Sequence, residues 1–295
     1  MTTRAIGLFV LTFVMGSAVH AEAPEFQATG PTKDDGTWYI LSEDQLPDQT
    51  QNTTHLARFG DSIEGYNRFV LAGVDKAQSS AMDGGGYFIG IKADPPESPI
   101  GYALSLMGNP LLSPPRTTSY CSGSTYTAFI EALNLYETAC ADGADPSDKP
   151  VLDPVRAEAM RMQEPDGGRR EDGVKFWGHW NDDGFGSQFA LVQYSKMGEE
   201  VTPNRARPGD FMNISWTNGG GHSVVFLGWQ IDTEGNKHVL YWASQKSTNG
   251  MGDQLVPLSR IRSVKIVRLT DPDRLFTFDP TQEVNPKVPG DTIDW

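Results

Sequence analysis

The sequence of 295 residues is poor in basic side chains, with 24 Lys and Arg against 38 Asp and Glu and a formal net charge of −14 at pH 7. Proteins that hold nucleic acid without regard to sequence need Lys and Arg to displace counterions from the phosphates. Attraction to anionic lipid depends on the same residues. We therefore expect neither nucleic acid nor a charged membrane surface among the partners.

Long apolar runs are also missing, apart from a short one near the start of the chain. Residues 6–15 are mostly apolar, follow the positive charge of Arg4, and precede Val19-His20-Ala21, which fits a signal-peptidase site. The run is shorter than the ~20 residues that a membrane-spanning helix needs. We predict a signal peptide over residues 1–21, a secreted or periplasmic protein, and no membrane span.

Cysteine is scarce: the chain has only Cys121 and Cys140. An oxidising compartment would favour a disulfide, but the residues between them carry an apolar stripe with the spacing of a helix. Its members are Phe129, Ala132, Leu133 and Tyr136. A continuous helix would separate the two Cα atoms by roughly 28 Å, whereas a disulfide requires less than ~7 Å. We predict two unpaired thiols, with Cys140 on the buried stripe and Cys121 at the helix N-terminus, where amide groups stabilise a thiolate.

A mixed α+β fold is predicted, because helical spacing dominates the first half of the chain and short strand patterns follow one another in the second. The predicted helices cover residues 64–82, 121–140 and 186–197. The predicted strands cover residues 38–41, 87–91, 210–216, 222–229, 237–243 and 263–269. The last four strands are close together in sequence, which indicates an antiparallel meander.

The pattern divides the chain into a signal peptide, an N-terminal extension, one domain with an insertion, and an extended tail. These parts are residues 1–21, 22–63, 64–270 with insertion 141–183, and 271–295. The insertion is acidic and long enough to indicate a functional surface loop beside the site. We expect its Trp177 and Trp180 to be buried anchors, although aromatic rings of this kind also stack on sugars.

Histidine is nearly as scarce as cysteine, with His55, His179, His222 and His238 after the predicted signal peptide. His222 begins a strand behind three glycines, which leave room for a helix terminus or a substrate. It is therefore the candidate base for Cys121. The following strand returns antiparallel to the same end of the sheet and brings either Gln245 or Ser244 near the imidazole, where an acceptor would fix the tautomer.

Three short motifs in this order resemble the NlpC/P60 group of papain-like cysteine peptidases and the related CHAP amidases. They are Cys121-Ser122-Gly123, Arg207-Pro208-Gly209-Asp210-Phe211, and the strand from His222 to Gly228. The resemblance covers residues 64–270 and is carried by these motifs alone. It implies a nucleophile helix packed on an antiparallel sheet and hydrolysis of amide bonds in peptidoglycan peptides by Cys121, His222 and Gln245. We expect no metal ion or cofactor, and a monomer.

The sequence departs from the family pattern at one position beside the nucleophile. Residue 120 is Tyr, whereas the family has an Asp that helps to bind an amino group of the stem peptide. The family also places a tyrosine near the oxyanion, and Tyr87 and Tyr102 are both candidates here. Two competing hypotheses are a non-catalytic module that binds glycan or protein on the same scaffold, and an unrelated α+β structural domain.

Overall fold

A computed structural model describes residues 30–141, 150–162, 176–177, 188–285 and 288–295, so the predicted signal peptide lies outside the described part. The helices are α1 His55–Phe59, α2 Asn67–Ser79, α3 Cys121–Ala141, α4 Pro154–Ala159 and α5 Ala190–Gln193. The strands are β1 Leu104–Leu106, β2 Asn109–Leu112, β3 Gly198–Val201, β4 Phe211–Trp216, β5 Gly221–Ile231, β6 Lys237–Gln245, β7 Gly250–Pro257 and β8 Ile261–Leu269. None of the described helices has the length and apolar character needed to cross a bilayer.

Six strands form one sheet in the order β3-β8-β4-β5-β6-β7, and every neighbouring pair is antiparallel. The run from β4 to β7 is a meander, and β8 returns to the other side of β4. The strands β1 and β2 form a separate hairpin. Helices packed beside an antiparallel sheet confirm the predicted α+β class.

Helices α2 and α3 pack together against one face of the sheet. Their contact is close because Gly73 has no side chain: a Cβ atom there would lie 2.3 Å from the carbonyl oxygen of Ala128. The first half of α3, from Cys121 to Leu133, is buried throughout. The helix is therefore fixed lengthwise on the sheet, with Cys121 at its start.

The two cysteines form no disulfide, as predicted, because one continuous helix holds them apart. The expectation that Cys140 lies on the buried stripe is wrong, since its side chain is exposed. The buried positions of α3 end at Tyr136. The last turn therefore extends beyond the packed part of the helix, and Cys140 projects into solvent.

Asp210, from the second of the three motifs, joins three elements below the site. Its fully buried carboxylate accepts hydrogen bonds from Asn67 Nδ2 at 2.7 Å, Arg268 Nε at 2.9 Å and the Arg207 backbone N–H at 2.8 Å. These donors belong to α2, β8 and the turn before β4. A buried carboxylate is stable only when it is paired and bonded in this way, so the motif has a structural role here.

An N-terminal strap, residues 30–62, runs across the domain and is bonded to the sheet along its length. Asp34 pairs with the buried Arg268 at 2.7 Å, and the Leu41 N–H donates to the carbonyl oxygen of Trp229 at 2.7 Å. The Asp253 N–H donates to the Thr50 carbonyl oxygen at 2.7 Å, beside the edge strand β7. These bonds make the described part of the predicted N-terminal extension an integral piece of the fold.

His55, in the strap, is completely buried between two carboxylates. Its Nδ1 lies 2.7 Å from Asp75 Oδ1, and its Nε2 lies 2.8 Å from Asp253 Oδ1. Burial by itself lowers the pKa of this imidazole, but the charges and hydrogen bonds of Asp253 and Asp75 outweigh burial and raise the pKa to about 9. His55 is therefore a cation at neutral pH, and it ties α1 to α2 and β7.

The insertion differs from the prediction where it is described, at residues 150–162 and 176–177. It was expected on the surface, yet six of its apolar side chains lie in the core beside α3. These are Leu152, Ala157, Met160, Met162, Phe176 and Trp177. Trp177 is a buried anchor, as expected, whereas Trp180 and His179 lie outside the described residues.

Two shorter predictions are wrong, and the tail is more structured than its sequence indicated. Residues 87–91 do not form a strand, because a 3-10 turn begins at Gly90, where a Cβ atom would lie 1.7 Å from the Glu97 carbonyl oxygen. The helix predicted over 186–197 is reduced to α5 among the residues described. The tail starts with a 3-10 turn, Pro272–Phe276, and then returns along the sheet, where Asp291 bridges to Val264.

Candidate functional site

Cys121 is the first residue of α3, so its sulfur lies where the free N–H groups of the helix favour an anion. The backbone at Pro99 packs directly against the first turn of α3 because residue 123 is glycine. A Cβ atom at position 123 would lie 2.1 Å from the Pro99 carbonyl oxygen. The Tyr120 N–H donates to that same oxygen at 3.2 Å. The backbone that leads into α3 is therefore held in place. Cys121 is 7% exposed.

Hydroxyl groups join the first turns of α3 to the two strands that carry the predicted His and Gln. Thr125 Oγ1 and Ser223 Oγ are 3.0 Å apart, and the Ser244 N–H donates to Ser124 Oγ at 3.0 Å. Ser119, just before the helix, bonds Ser244 through their hydroxyls at 2.8 Å. Because residues 223 and 244 adjoin His222 and Gln245, these bonds bring all three predicted site residues to one end of the sheet.

His222 and Gln245 are bonded directly, with 2.9 Å between His222 Nε2 and Gln245 Oε1. Val225 pairs with Trp242 across the antiparallel strands β5 and β6. Continuing this register by three residues, to the ends of the two strands, places His222 opposite Gln245. Ser244, the open alternative, faces α3 instead, because side chains alternate along a strand. Gln245 is therefore the residue that the structure places on the imidazole.

The amide of Gln245 fixes the tautomer of His222. Its Nε2 donates to Thr248 Oγ1 at 3.1 Å and is 3.4 Å from the Gly252 carbonyl oxygen, so the oxygen of the amide faces the imidazole. An amide oxygen only accepts. His222 Nε2 therefore carries the hydrogen, and Nδ1 is the nitrogen that accepts a proton.

The imidazole of His222 is held in its neutral form. Burial lowers the pKa of His222 to about 4, and the hydrogen bond to Gln245 opposes that shift without cancelling it. A neutral imidazole at physiological pH is the form that acts as a base.

Tyrosine side chains surround the thiol and the imidazole. The Tyr241 ring lies 5.5 Å from the His222 ring, and burial raises the pKa of Tyr241, with the charge of Cys121 adding to the rise. Burial, followed by the charge of Cys121, also raises the pKa of Tyr87 to about 12. Tyr87 and Tyr241 are therefore both protonated neighbours of Cys121.

Tyr102, the other candidate for the oxyanion tyrosine, is occupied elsewhere. Its hydroxyl donates to Glu131 Oε1 at 2.7 Å. Glu131 lies ten residues along α3 from Cys121, about 15 Å at 1.5 Å per residue. Of the two candidates, Tyr87 is the one beside the thiol.

Tyr120, which stands where the family has Asp, is buried and brings no charge to the site. Burial raises the pKa of its phenol well above the ordinary value. Its side chain is 4% exposed. The position beside Cys121 therefore provides no carboxylate.

Several neighbours of the site were not predicted from the sequence, above all Trp216 and Thr248. The Trp216 ring lies 6.0 Å from the His222 ring on the side away from Tyr241. Trp216 ends β4, and its nearness to His222 follows from the β4–β5 hairpin, whose glycine turn is visible in the sequence. No sequence pattern indicates Thr248, because it is linked to the site only through its hydrogen bond with the side chain of Gln245.

The described residues include no group of three or more His, Cys, Asp or Glu side chains placed to hold a metal ion. Comparison with models of protein families, with curated proteins and with solved structures finds no match to the chain. The functional conclusion therefore depends on the geometry of the site and on the sequence motifs.

Proposed function

We propose that this protein is an exported cysteine hydrolase with a papain-like fold, which cleaves amide bonds through Cys121, His222 and Gln245. The observation that carries the proposal is the bond between His222 and Gln245 at the end of the sheet to which the start of α3 is tied. A thiol at a helix start, a base with a fixed tautomer and a third group that orients the base are the parts that nucleophilic catalysis requires.

In the first half of the reaction, His222 Nδ1 takes the proton of the Cys121 thiol, and the sulfur attacks the carbonyl carbon of the amide. The oxyanion that forms is stabilised by the backbone N–H of Cys121 and by the Tyr87 hydroxyl. When the intermediate collapses, the C–N bond breaks and the leaving amine takes the proton from the imidazolium. A thioester to Cys121 remains.

In the second half, water gives a proton to His222 Nδ1 and attacks the thioester carbonyl. The C–S bond breaks, the acid is released, and the proton returns to the sulfur. Gln245 holds the imidazole in one tautomer through both halves, so the same nitrogen serves as base and as acid.

We propose peptides of the bacterial cell wall as the substrate class. The support is the set of three motifs and the predicted signal peptide, which would bring the protein to that substrate. Tyr120 removes the carboxylate that the family uses for an amino group, so the substrate is recognised by other residues.

The test uses the full chain and purified peptidoglycan, with release of new amino groups as the readout. We expect Cys121→Ser and His222→Ala to lower the rate by roughly ten-thousand-fold. The matched control is Cys140→Ser, which changes the other thiol, lies outside the site and leaves the rate unchanged. Circular dichroism verifies that each variant is folded.

A wild-type chain that releases no amino groups, and whose Cys121 reacts with iodoacetamide no faster than the His222→Ala variant, would contradict the proposal. That result would favour the non-catalytic binding module. A wild-type chain whose activity survives Cys121→Ser would also overturn it, because the chemistry would then use another nucleophile.

A further inference from the structure

Four side chains from neighbouring strands line one side of the site. Tyr241 on β6 and Trp216 on β4 flank His222 on β5, with ring centroids 5.5 and 6.0 Å from the imidazole. Arg260, just before β8, places its guanidinium carbon 5.6 Å from the centroid of the Trp216 ring. The path from β5 through β4 to the start of β8 therefore leads from the His222 imidazole to the positive charge of Arg260.

Arg260 is exposed, and among the described residues no carboxylate lies within ion-pair distance of its guanidinium. Most of the other described arginines differ in this respect. For example, Arg205 and Arg268 both pair with Asp34. In a chain with a net charge of −14, Arg260 lies on a tryptophan and meets no acidic partner within the described part of the chain.

The charge of Arg260 reaches into the site. It lowers the pKa of Tyr241, against the larger effect of burial, and Tyr241 is a neighbour of both His222 and Cys121. Tyr120 provides no opposing carboxylate beside the nucleophile. Arg260 therefore brings a positive charge to the side of the site that Tyr241 lines.

We propose that Arg260 and Trp216 form a subsite for a carboxylate of the substrate next to the scissile amide. This inference rests on the proposed function, and it names the chemical class of group that the hydrolase recognises. The guanidinium offers a planar fork of N–H donors that matches a carboxylate. Trp216 holds that fork in place through the cation–π contact and presents its ring edge to the apolar part of the substrate.

The test compares two small reagents that differ mainly in charge, iodoacetate and iodoacetamide, on the full-length protein. Both alkylate a cysteine with loss of iodide, but only iodoacetate carries a carboxylate. The rate ratio of iodoacetate to iodoacetamide at Cys121 is divided by the same ratio at the exposed Cys140, which serves as an internal reference. Peptide mass spectrometry separates the two sites.

We expect Arg260→Gln to lower the normalised ratio by roughly two- to fivefold, the size of an exposed charge interaction, and Arg260→Glu to lower it further. Trp216→Ala should lower it as well, whereas Trp216→Phe keeps an aromatic face and most of the effect. The matched control is Arg205→Gln, which removes the same charge from a half-exposed arginine that pairs with Asp34 in the strap.

A normalised ratio that is the same in wild type, Arg260→Gln and Arg260→Glu overturns the subsite while leaving the nucleophile in place. A ratio that falls equally in Arg205→Gln overturns it too, since the effect would then come from net charge alone. If Cys121 reacts with neither reagent in the folded protein, the proposed function fails and the subsite fails with it.

Discussion

The bond between His222 Nε2 and Gln245 Oε1 leaves Nδ1 as the imidazole nitrogen that can accept a proton. Gln245 is in turn held by Thr248 and by the backbone of Gly252. A histidine without such an acceptor exchanges between two tautomers, and only one of them directs its lone pair at the nucleophile. In the proposed mechanism the side chain of Gln245 therefore acts through the imidazole and needs no contact with the substrate.

We predict that Gln245→Ala lowers kcat/KM by roughly a hundredfold with a much smaller change in KM. The reason is that the base loses its fixed tautomer while the binding surface is retained. The ¹⁵N chemical shifts of His222 distinguish this cause from a general loss of structure, because they report the two tautomers separately.

The matched control for this variant is Gln193→Ala, which removes a glutamine bonded to Asn285 in the tail and should leave kcat/KM unchanged. An unaltered ¹⁵N spectrum of His222 in the Gln245→Ala variant would show that the imidazole is oriented by something else.

The sequence was informative about the residues that local rules position. His222 follows a run of glycines, and Gln245 ends the next strand, so an antiparallel return was enough to bring them together. Trp216 and Arg260 escaped notice because they meet through the pairing of β4 with β8, two strands far apart in sequence. Pairings of that kind are fixed by the whole sheet, and no short pattern reveals them.

At the scale of elements, α3 was predicted within one residue because its apolar stripe continues without a helix breaker. Strand β7 was missed: Gly250 and Gly252 read as turn residues, yet they are required where the strand passes close to other backbone. A Cβ atom at Gly250 would lie 1.9 Å from the Gly84 carbonyl oxygen. The close approach comes from tertiary packing, and the local sequence alone indicates a loop.

Trp177 shows how a residue outside the sheet holds α3 in place. It is fully buried, stacks on Phe129 at 4.9 Å, and donates through Nε1 to Thr125 Oγ1 at 3.0 Å. Its φ of 50° is rare for a bulky residue and persists only where packing compensates its cost. Thr125 also contacts Ser223, so Trp177 supports the junction between α3 and β5.

We predict that Trp177→Ala lowers the free energy of unfolding by about 3–5 kcal/mol, because it leaves a large cavity against α3. Trp177→Phe should cost about 1 kcal/mol, since it removes mainly the Nε1 hydrogen bond. Urea denaturation followed by circular dichroism measures both values.

The control for these variants is Val155→Ala, at a side chain that is 65% exposed, which should change the free energy of unfolding by less than about 0.5 kcal/mol. If Trp177→Ala were as stable as wild type, the stacking on Phe129 would not contribute to stability.

At the scale of the whole molecule, the strap is held to the sheet by ionised groups at its two ends. Asp34 pairs with Arg268 near one end, and His55 pairs with Asp75 and Asp253 near the other. The contribution of His55 depends on pH, because its pKa is about 9 in the folded state and near the ordinary value of ~6.5 when unfolded.

A group whose pKa is raised by folding stabilises the protein fully below its unfolded pKa and loses that effect as the pH rises through its folded pKa. We therefore predict that the free energy of unfolding falls between about pH 6.5 and about pH 9.5. His55→Gln should lower the free energy of unfolding by about 3–5 kcal/mol at pH 6, because buried Asp253 is left without a cation. The variant should also lack most of the decrease in stability that wild type shows at alkaline pH.

Urea unfolding of wild type and His55→Gln, each measured at about pH 6 and at about pH 9.5, tests this prediction. His238→Gln is the matched control, since it removes another histidine and should leave the alkaline loss as it is in wild type. Equal alkaline losses in wild type and His55→Gln would mean that other groups cause the pH dependence.

The strap also determines when during synthesis the fold is completed. His55 meets Asp253 across 198 positions of the chain, and the Thr32 carbonyl oxygen meets Arg268 across 236. Contacts this distant in sequence require large loops to close, which slows folding. The strap can meet Asp75 as soon as α2 has been made, but its bonds to Asp253 and Arg268 wait for β7 and β8, so the strap is fully anchored only when the chain is nearly complete.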